Sequence, residues 1–493
     1  MSTIYPDIVI TAATTLANSF IGVGLAQNAV YLLQLFVAQR ALAAEPPEPR
    51  VRTLWRRTAA LAPPIALLAP AFNEGQTIEN STRSLLALDY PEFEVIVIND
   101  GSKDDTLDVL KRAFALEPAL RDYDTALTHN RIRAVYRSLK SERLIVIDKE
   151  NGGKADALNA GLNLARAPIV CSMDADSILE PDALLRAVQP FVEDPQHVVA
   201  AGGTVRIANG CVIREGRVTE IGVARNIWAL LQTIEYLRAF LLARLAWSKI
   251  GALTIVSGAF GLFRRSVLIE IGGYAKNTVG EDMEIIVRLH RYFRERKRPY
   301  RIAFVPEPVC WTEAPESFAV LGRQRARWHR GALETFFKHR TMLFNPRYGR
   351  VGMVGLGQVF LFDVVGPIVE LTGYALMPLM WILGILSFDY LLAYLALTFA
   401  FGVAISVGSL AIEEAELRRF PKASDLATLA LAAVLENFGY RQLNSLWRMH
   451  GLWQWARGVH SWGEMSRKGF RTSGPSTTKA SLDFEFAPRP PSK

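Results

Sequence analysis

PIVCSMDAD, residues 168–176, runs from an apolar stretch straight into two aspartates two positions apart. A near-continuous apolar run of this length suits a β-strand covered on both faces. Three more runs match it: IALLAPA (65–71), EVIVIND (94–100) and RLIVID (143–148). Each of the four is followed by an amphipathic stretch, at 76–88, 104–116, 154–165 and 181–192. Strand and helix in alternation predict an α/β domain with a mainly parallel sheet, whose ligands bind beyond the C-terminal strand ends. Asp100 closes one strand, and Asp174 and Asp176 close another, so acids stand where that rule puts a ligand.

Outside this block the composition changes. The 493-residue chain is 50% hydrophobic with a net charge of +8, too apolar for an ordinary soluble enzyme and too charged for a pure membrane bundle. Apolar residues concentrate in 8–42 and 351–447. LANSFIGVGLAQNAVYLLQLFVAQ (16–39) is long enough to span a bilayer, and its basic flank (Arg40, Arg50, Arg52, Arg56, Arg57) follows it. That order predicts a retained anchor with the globular region on the cytoplasmic side. Two C-terminal spans are expected near 367–386 and 391–412. A third stretch, 426–448, carries Glu436, Asn437, Arg441 and Gln442, which predict a face turned to protein or to a polar path.

The expected organisation is an anchor at 1–42, a linker at 43–64, a catalytic domain at 65–345 and membrane or interfacial helices at 346–448. A basic amphipathic segment at 449–472 and a disordered, Pro- and Ser-rich tail at 473–493 follow. Cys171, Cys211 and Cys310 have no ligand spacing and read as buried apolar residues. Much of the basicity is juxtamembrane, where topology accounts for it, so nucleic acid is not an expected partner.

The acids carry the chemistry. NDGSKDD (99–105) is equally ordinary turn chemistry. In MDADS (173–177) two carboxylates project to the same side if the strand continues. Like charges so close need a cation between them, and Mg²⁺ or Mn²⁺ would leave coordination sites for phosphate oxygens. NGGKADALNAG (151–161) sets Lys154 at a helix start after paired glycines; it is not a Walker loop, and phosphate contact and a solvated cap both fit it. In TVGEDMEIIVRLHRY (278–292), Glu281 and Asp282 open a helix, where acids also commonly just satisfy the dipole. The small residues of VSGAFGLFRR (256–265) predict a cleft wall.

Two segments look toward the membrane. RQRARWHRG (323–331) packs four arginines around Gln324 and Trp328, and Arg323, Arg325 and Arg330 are expected to meet lipid headgroups. WALLQTIEYLRAFLLARLAW (228–247) is expected to lie as an amphipathic helix on the membrane face, a buried core helix being the alternative.

Taken in order, PAFNE (70–74), VINDGS (97–102), GGKADALN (152–159), MDAD (173–176), GED (280–282) and QRARW (324–328) resemble the membrane-integrated family 2 glycosyltransferases. The likeness is to processive synthases of cellulose, chitin, hyaluronan and poly-N-acetylglucosamine, over roughly 65–345. It implies a GT-A fold and inverting transfer from a nucleotide sugar, usually a UDP-sugar, to a carbohydrate, with polymer export to follow. A lipid acceptor and single transfer are the alternative, and an export partner or homo-oligomer is left open. By position, Asn73, Glu74, Asp100, Lys154 and Asp174 would hold the nucleotide sugar, and Asp174 and Asp176 the Mg²⁺ or Mn²⁺ ion. Asp282 would be the base beside Glu281, while Gln324, Arg327 and Trp328 would meet acceptor and diphosphate. Gly280 stands where the family commonly has Thr, which weakens inference about substrate.

Overall fold

The computed structural model describes residues 7–44, 53, 55, 58–175, 177–214, 216–417 and 422–459. Asp176, the flanking Arg50, Arg52, Arg56 and Arg57, the tail at 473–493 and the basic segment beyond 459 therefore lie outside the described residues.

The four predicted strands form the parallel centre of a ten-stranded sheet. They are β1 (Ile65–Ala71), β2 (Phe93–Asp100), β5 (Leu144–Lys149) and β6 (Ile169–Met173), in the spatial order β5-β2-β1-β6. Beyond β5 lie β4 (Ile132–Ser138) and β3 (Leu116–Pro118), each antiparallel to its neighbour. Beyond β6 comes β11 (Phe260–Arg264), antiparallel to it, then β8 (Val198–Ile207), β12 (Arg301–Thr312) and β7 (Ile178–Leu179). A separate hairpin pairs β9 (Val212–Arg214) with β10 (Arg217–Glu220).

Strand alternation explains the unbroken apolar runs. Ile65, Leu67, Ala69, Val95 and Val97 face one core, while Ala66, Leu68, Ile96 and Ile98 face another. Side chains two apart share a face, so a strand needs apolar residues at every position only when both faces are covered. The first core takes in Leu85, Leu110 and Leu184 from helices on its side, the second Leu158, Leu162, Ile285 and Leu289.

Among the described residues, three helices are long and apolar enough to cross a membrane: Asp7–Ala43, Val351–Ile382 and Phe388–Ala415. The first runs well past 16–39 at both ends, and its last turns (Ala38, Ala41, Leu42) join the second core, so anchor and domain share buried surface. Gly366 and Pro367 do not end the second. The helix passes through them by way of wide turns at Val351–Gly355 and Phe360–Val365. The stretch at 426–448 is bent: Phe438 and Gly439 leave helical geometry between Ala423–Leu435 and Arg441–Ala456. Its polar residues turn to protein. Glu436 pairs with Arg238 at 2.5 Å, Arg441 lies 3.7 Å from Glu370, and Gln442 donates to the Asn437 carbonyl at 3.2 Å.

The segment at 227–249 is the buried alternative rather than a helix lying on the membrane face. Tyr236 and Phe240 enter the first core, Leu241, Leu245 and Trp247 the second. Leu231, Ile234 and Leu237 join a third with Leu410, Leu429 and Ala433 of the C-terminal helices. A helix apolar nearly all round is one buried on every side, and its Arg238 is matched by Glu436.

Candidate functional site

The C-terminal ends of the parallel strands collect the predicted residues. After β1 the chain turns at Asn73, whose φ of 58° lies in the left-handed region that Asn tolerates. Its side-chain oxygen accepts from the Lys103 backbone at 2.8 Å, and its own N–H donates to Ser102 Oγ at 3.0 Å. Glu74 accepts from Thr77 Oγ1 at 2.7 Å and donates its N–H to Thr106 Oγ1 at 2.9 Å. Both residues thus brace the loop after β1 against the loop after β2.

Asp100 is 3% exposed. One carboxylate oxygen lies 2.6 Å from Lys149 Nζ and 3.0 Å from the Gly152 N–H, and the other accepts from the Gly153 N–H at 2.7 Å. It therefore folds the Gly-Gly turn that starts the helix Lys154–Leu164 and aims Lys154.

Lys154 is the hub. Its Nζ lies 2.6 Å from Asp174 Oδ1, donates to the Gly258 carbonyl at 3.1 Å and stands 3.4 Å from Glu281 Oε1. Asp282, next along, accepts from the Gly258 N–H at 3.2 Å and the Met283 N–H at 2.8 Å. A Cβ on Gly258 would sit 2.8 Å from Lys154 Nζ and 3.5 Å from Asp282 Oδ2, so a side chain there would displace the ammonium. The end of β6 and the start of the helix Glu281–Glu295 thus share one cleft. Lys154, Ser172, Ser257, Gly258, Tyr274 and Asp282 line its floor.

Electrostatics follow from crowding. Burial by itself would lower the Lys154 ammonium, but the charges of Asp174, Glu281 and Asp282 outweigh it and hold the pKa above the ordinary value. Burial pushes the Glu281 carboxyl up, opposed by Lys154 and reinforced by Asp282, with Arg327 pulling it down more weakly.

The helix Phe318–Lys338 brings the other wall. It reaches the cleft where Gly331 meets Gly280: a Cβ on either would lie 2.8 Å from the other's Cα. Gln324 is buried, and its Oε1 makes no hydrogen bond. Trp328 packs against the first core, its ring 6.4 Å from Tyr236. Burial pushes the Tyr236 phenol up to about 12, and among the smaller influences on it are Arg325, Glu235, Arg244 and Asp174.

The expectation that Arg325 and Arg330 meet headgroups is corrected: they are 3% and 2% exposed, while Arg323 is exposed. Arg325 lies over Trp328, 4.4 Å from its centroid, and pairs with Glu235 at 2.7 Å, which also accepts from the Tyr440 hydroxyl. Reading the sequence missed Tyr236, Glu235 and Ser257 as parts of this site. Ser257 lay within the small-residue run, but nothing local marked the other two.

Among the described residues no group of three or more His, Cys, Asp or Glu could enclose a metal ion. An ion held by Asp174 would be completed from outside the chain's described carboxylates, as suits a cation that keeps sites open.

Residues 67–272 match the family model described as glycosyl transferase family 2. Two relatives are poly-beta-1,6-N-acetyl-D-glucosamine synthases, from Staphylococcus epidermidis and Staphylococcus aureus (strain COL). Each is 30% identical over 275 residues, covering 56% of this chain and 56% of the relative. The chain thus spans about half the length of the curated relatives it matches. The fold is similar to that of a mannosyltransferase from Pyrobaculum calidifontis solved with GDP-Man and Mn²⁺. That likeness has a TM-score of 0.50 at 20% identity and covers 90% of this chain and 99% of that one.

Proposed function

We propose, from the premise that residues 67–272 form a glycosyl transferase family 2 domain, that the chain transfers a sugar from a nucleotide sugar to a growing carbohydrate, with inversion. One observation carries this: Lys154 links Asp174 to Glu281, next to Asp282, in a single cleft. Displacing a nucleoside diphosphate builds negative charge on the leaving group, which Lys154 and Arg327 are disposed to meet. An acceptor hydroxyl is a weak nucleophile, and Asp282, held by two backbone N–H groups, is the base that takes its proton. Glu281 supports Asp282 through their shared helix start. Inversion needs one base and no covalent intermediate.

Asn73, Glu74 and Asp100 shape the nucleotide pocket through the loops they tie, and Gln324 and Trp328 meet the acceptor. Asp174 with Asp176 would hold Mg²⁺ or Mn²⁺, and the bound ion would supply charge neutralisation to the diphosphate. With three helices among the described residues able to cross a bilayer, the acceptor is handled at the membrane, the catalytic domain lies on the cytoplasmic side, and the polymer is passed outward.

The names of the relatives make UDP-N-acetylglucosamine the first donor to test. Purified full-length protein in lipid, given that donor with Mg²⁺ or Mn²⁺, should release UDP and form a polymer that size analysis separates from a singly glycosylated lipid. Asp282→Asn should keep donor affinity and lose about 100-fold or more in kcat. A lipid-borne single sugar as the product would replace polymer synthesis with the alternative, and full turnover by D282N would end the assignment of the base.

A further inference from the structure

The helix Glu281–Glu295 begins without the side chain that usually caps such a start. Its capping position is Gly280, which has none to offer. The backbone contact with Gly331 leaves no room for one either, since a Cβ on Gly280 would lie 2.8 Å from Gly331 Cα. A carboxylate on the neighbouring helix takes up the segment instead. Glu334 Oε2 accepts from Thr278 Oγ1 at 2.8 Å and from the Val279 N–H at 2.9 Å. Thr278 Oγ1 in turn accepts from the Gly280 N–H at 3.1 Å. Negative charge close to a helix start is also favoured by the helix dipole.

Helical spacing turns this local tie into a link between two walls of the cleft. Gln324, Arg327, Gly331, Glu334 and Lys338 follow one another at intervals of three or four residues, which sets them along one face of the helix Phe318–Lys338. The later part of that face is fixed to the helix of Asp282 by separate contacts. Gly331 meets Gly280, Glu334 holds Thr278 and Val279, and Lys338 Nζ lies 2.7 Å from Glu284 Oε1. The earlier part carries Gln324 and Arg327, with Trp328 beside them in the chain. The separation of Asp282 from those residues is therefore set through these ties. Of the three, only Glu334 grips the segment that runs directly into Glu281 and Asp282.

We propose that Glu334 is a positioning residue for the transfer. Acting through Thr278 and Val279, it holds Asp282 at the distance from Gln324 and Trp328 at which the base meets the acceptor hydroxyl. This rests on the glycosyl-transfer reading above. Glu334 touches neither substrate, so its loss spares binding and is felt in the rate. Misplacing a reacting group by about 1 Å can cost on the order of 100-fold.

The test uses the full-length protein in lipid vesicles with UDP-N-acetylglucosamine, Mg²⁺ or Mn²⁺, and an N-acetylglucosamine pentamer as probe acceptor. Glu334→Ala should lower kcat about tenfold or more and leave both KM values within about twofold. Glu334→Gln, which keeps an oxygen to accept from Thr278 or Val279, should recover most of the loss. The deciding measurement is a double-mutant cycle. In an Asp282→Asn background, Glu334→Ala should change the residual rate by less than about twofold, because the group it positions is already gone. An equal fall in both backgrounds would make Glu334 a general structural residue and overturn the proposal. So would an unchanged kcat, or a rise in donor KM as the main effect. If Glu334→Ala does not fold, Thr278→Val decides: it should lower kcat about threefold or more with the same dependence on Asp282, and a rate equal to wild type overturns the proposal. Failure of the wild-type protein to transfer any sugar is a separate result and removes the underlying reading, and the proposal with it.

Discussion

Lys154 Nζ lies 2.6 Å from Asp174 Oδ1, joining the start of one helix to the end of the strand that comes after it in the chain, and the same ammonium reaches Glu281 at 3.4 Å. Two acids from distant parts of the sequence therefore share one cation.

Removing that cation should be felt first in catalysis. Lys154→Met removes the ammonium that Asp174 and Glu281 share, and the leaving group loses a positive partner. We expect donor kcat/KM to fall about 100-fold or more, with Lys154→Arg retaining part of it, as read by initial rates of nucleotide release. A change of less than about threefold in the Met variant would show that the ion pair serves folding alone.

The approach of Gly280 to Gly331 is a contact of backbone on backbone. A methyl on Gly331 would sit 2.8 Å from Gly280 Cα and 2.9 Å from its nitrogen, with no flexible side chain to yield. Gly331→Ala should therefore cost about 1–3 kcal/mol and lower kcat by displacing Asp282. Gly22→Ala, where an added Cβ meets nothing within 4 Å, is the matched control and should leave the melting temperature unchanged. Equal melting temperatures for both variants would contradict the crossing.

His290, on the helix that Asp282 opens, is 2% exposed. It contacts the Leu253 carbonyl at 2.7 Å and the Tyr300 hydroxyl at 2.6 Å. Burial lowers it from 6.5 to about 4. A histidine held neutral in the fold contributes stability that is present above the unfolded pKa. As pH falls from 6.5 toward 4, the unfolded chain takes up a proton that the folded one refuses, and the contribution is lost. The loss is at most on the order of 3 kcal/mol. Melting temperatures taken across this window should fall in the wild type and fall less steeply in His290→Gln; parallel curves would mean that another group sets the acid limb.

Divalent-ion dependence can be placed on one carboxylate. Chelation with EDTA should abolish turnover, and Mn²⁺ should restore it. In Asp174→Asn the Mn²⁺ concentration for half-activation should rise about tenfold or more, because a neutral amide oxygen is a weaker ligand for a hard cation. Turnover that persists in EDTA would take the ion out of the proposal.

Much of the domain was legible in local sequence. IALLAPA (65–71) and EVIVIND (94–100) are apolar at consecutive positions because both faces of β1 and β2 are covered. The motif order likewise put Lys154, Asp174 and Asp282 in one candidate site. Less legible was the segment 227–249, whose arginines in an apolar stretch suggested an interface. Glu436, the partner of Arg238, lies far along the chain, so no local pattern could show that the charge is satisfied inside the protein. Arg325 and Glu235 are a second such pair.

The sequence by itself determined the four parallel strands and the apolar helices, because periodicity and length are local properties. Only the tertiary structure decided which cations are matched inside the protein, as Arg238 is by Glu436 and Arg325 by Glu235, because charge compensation depends on distances between residues that the chain order keeps apart.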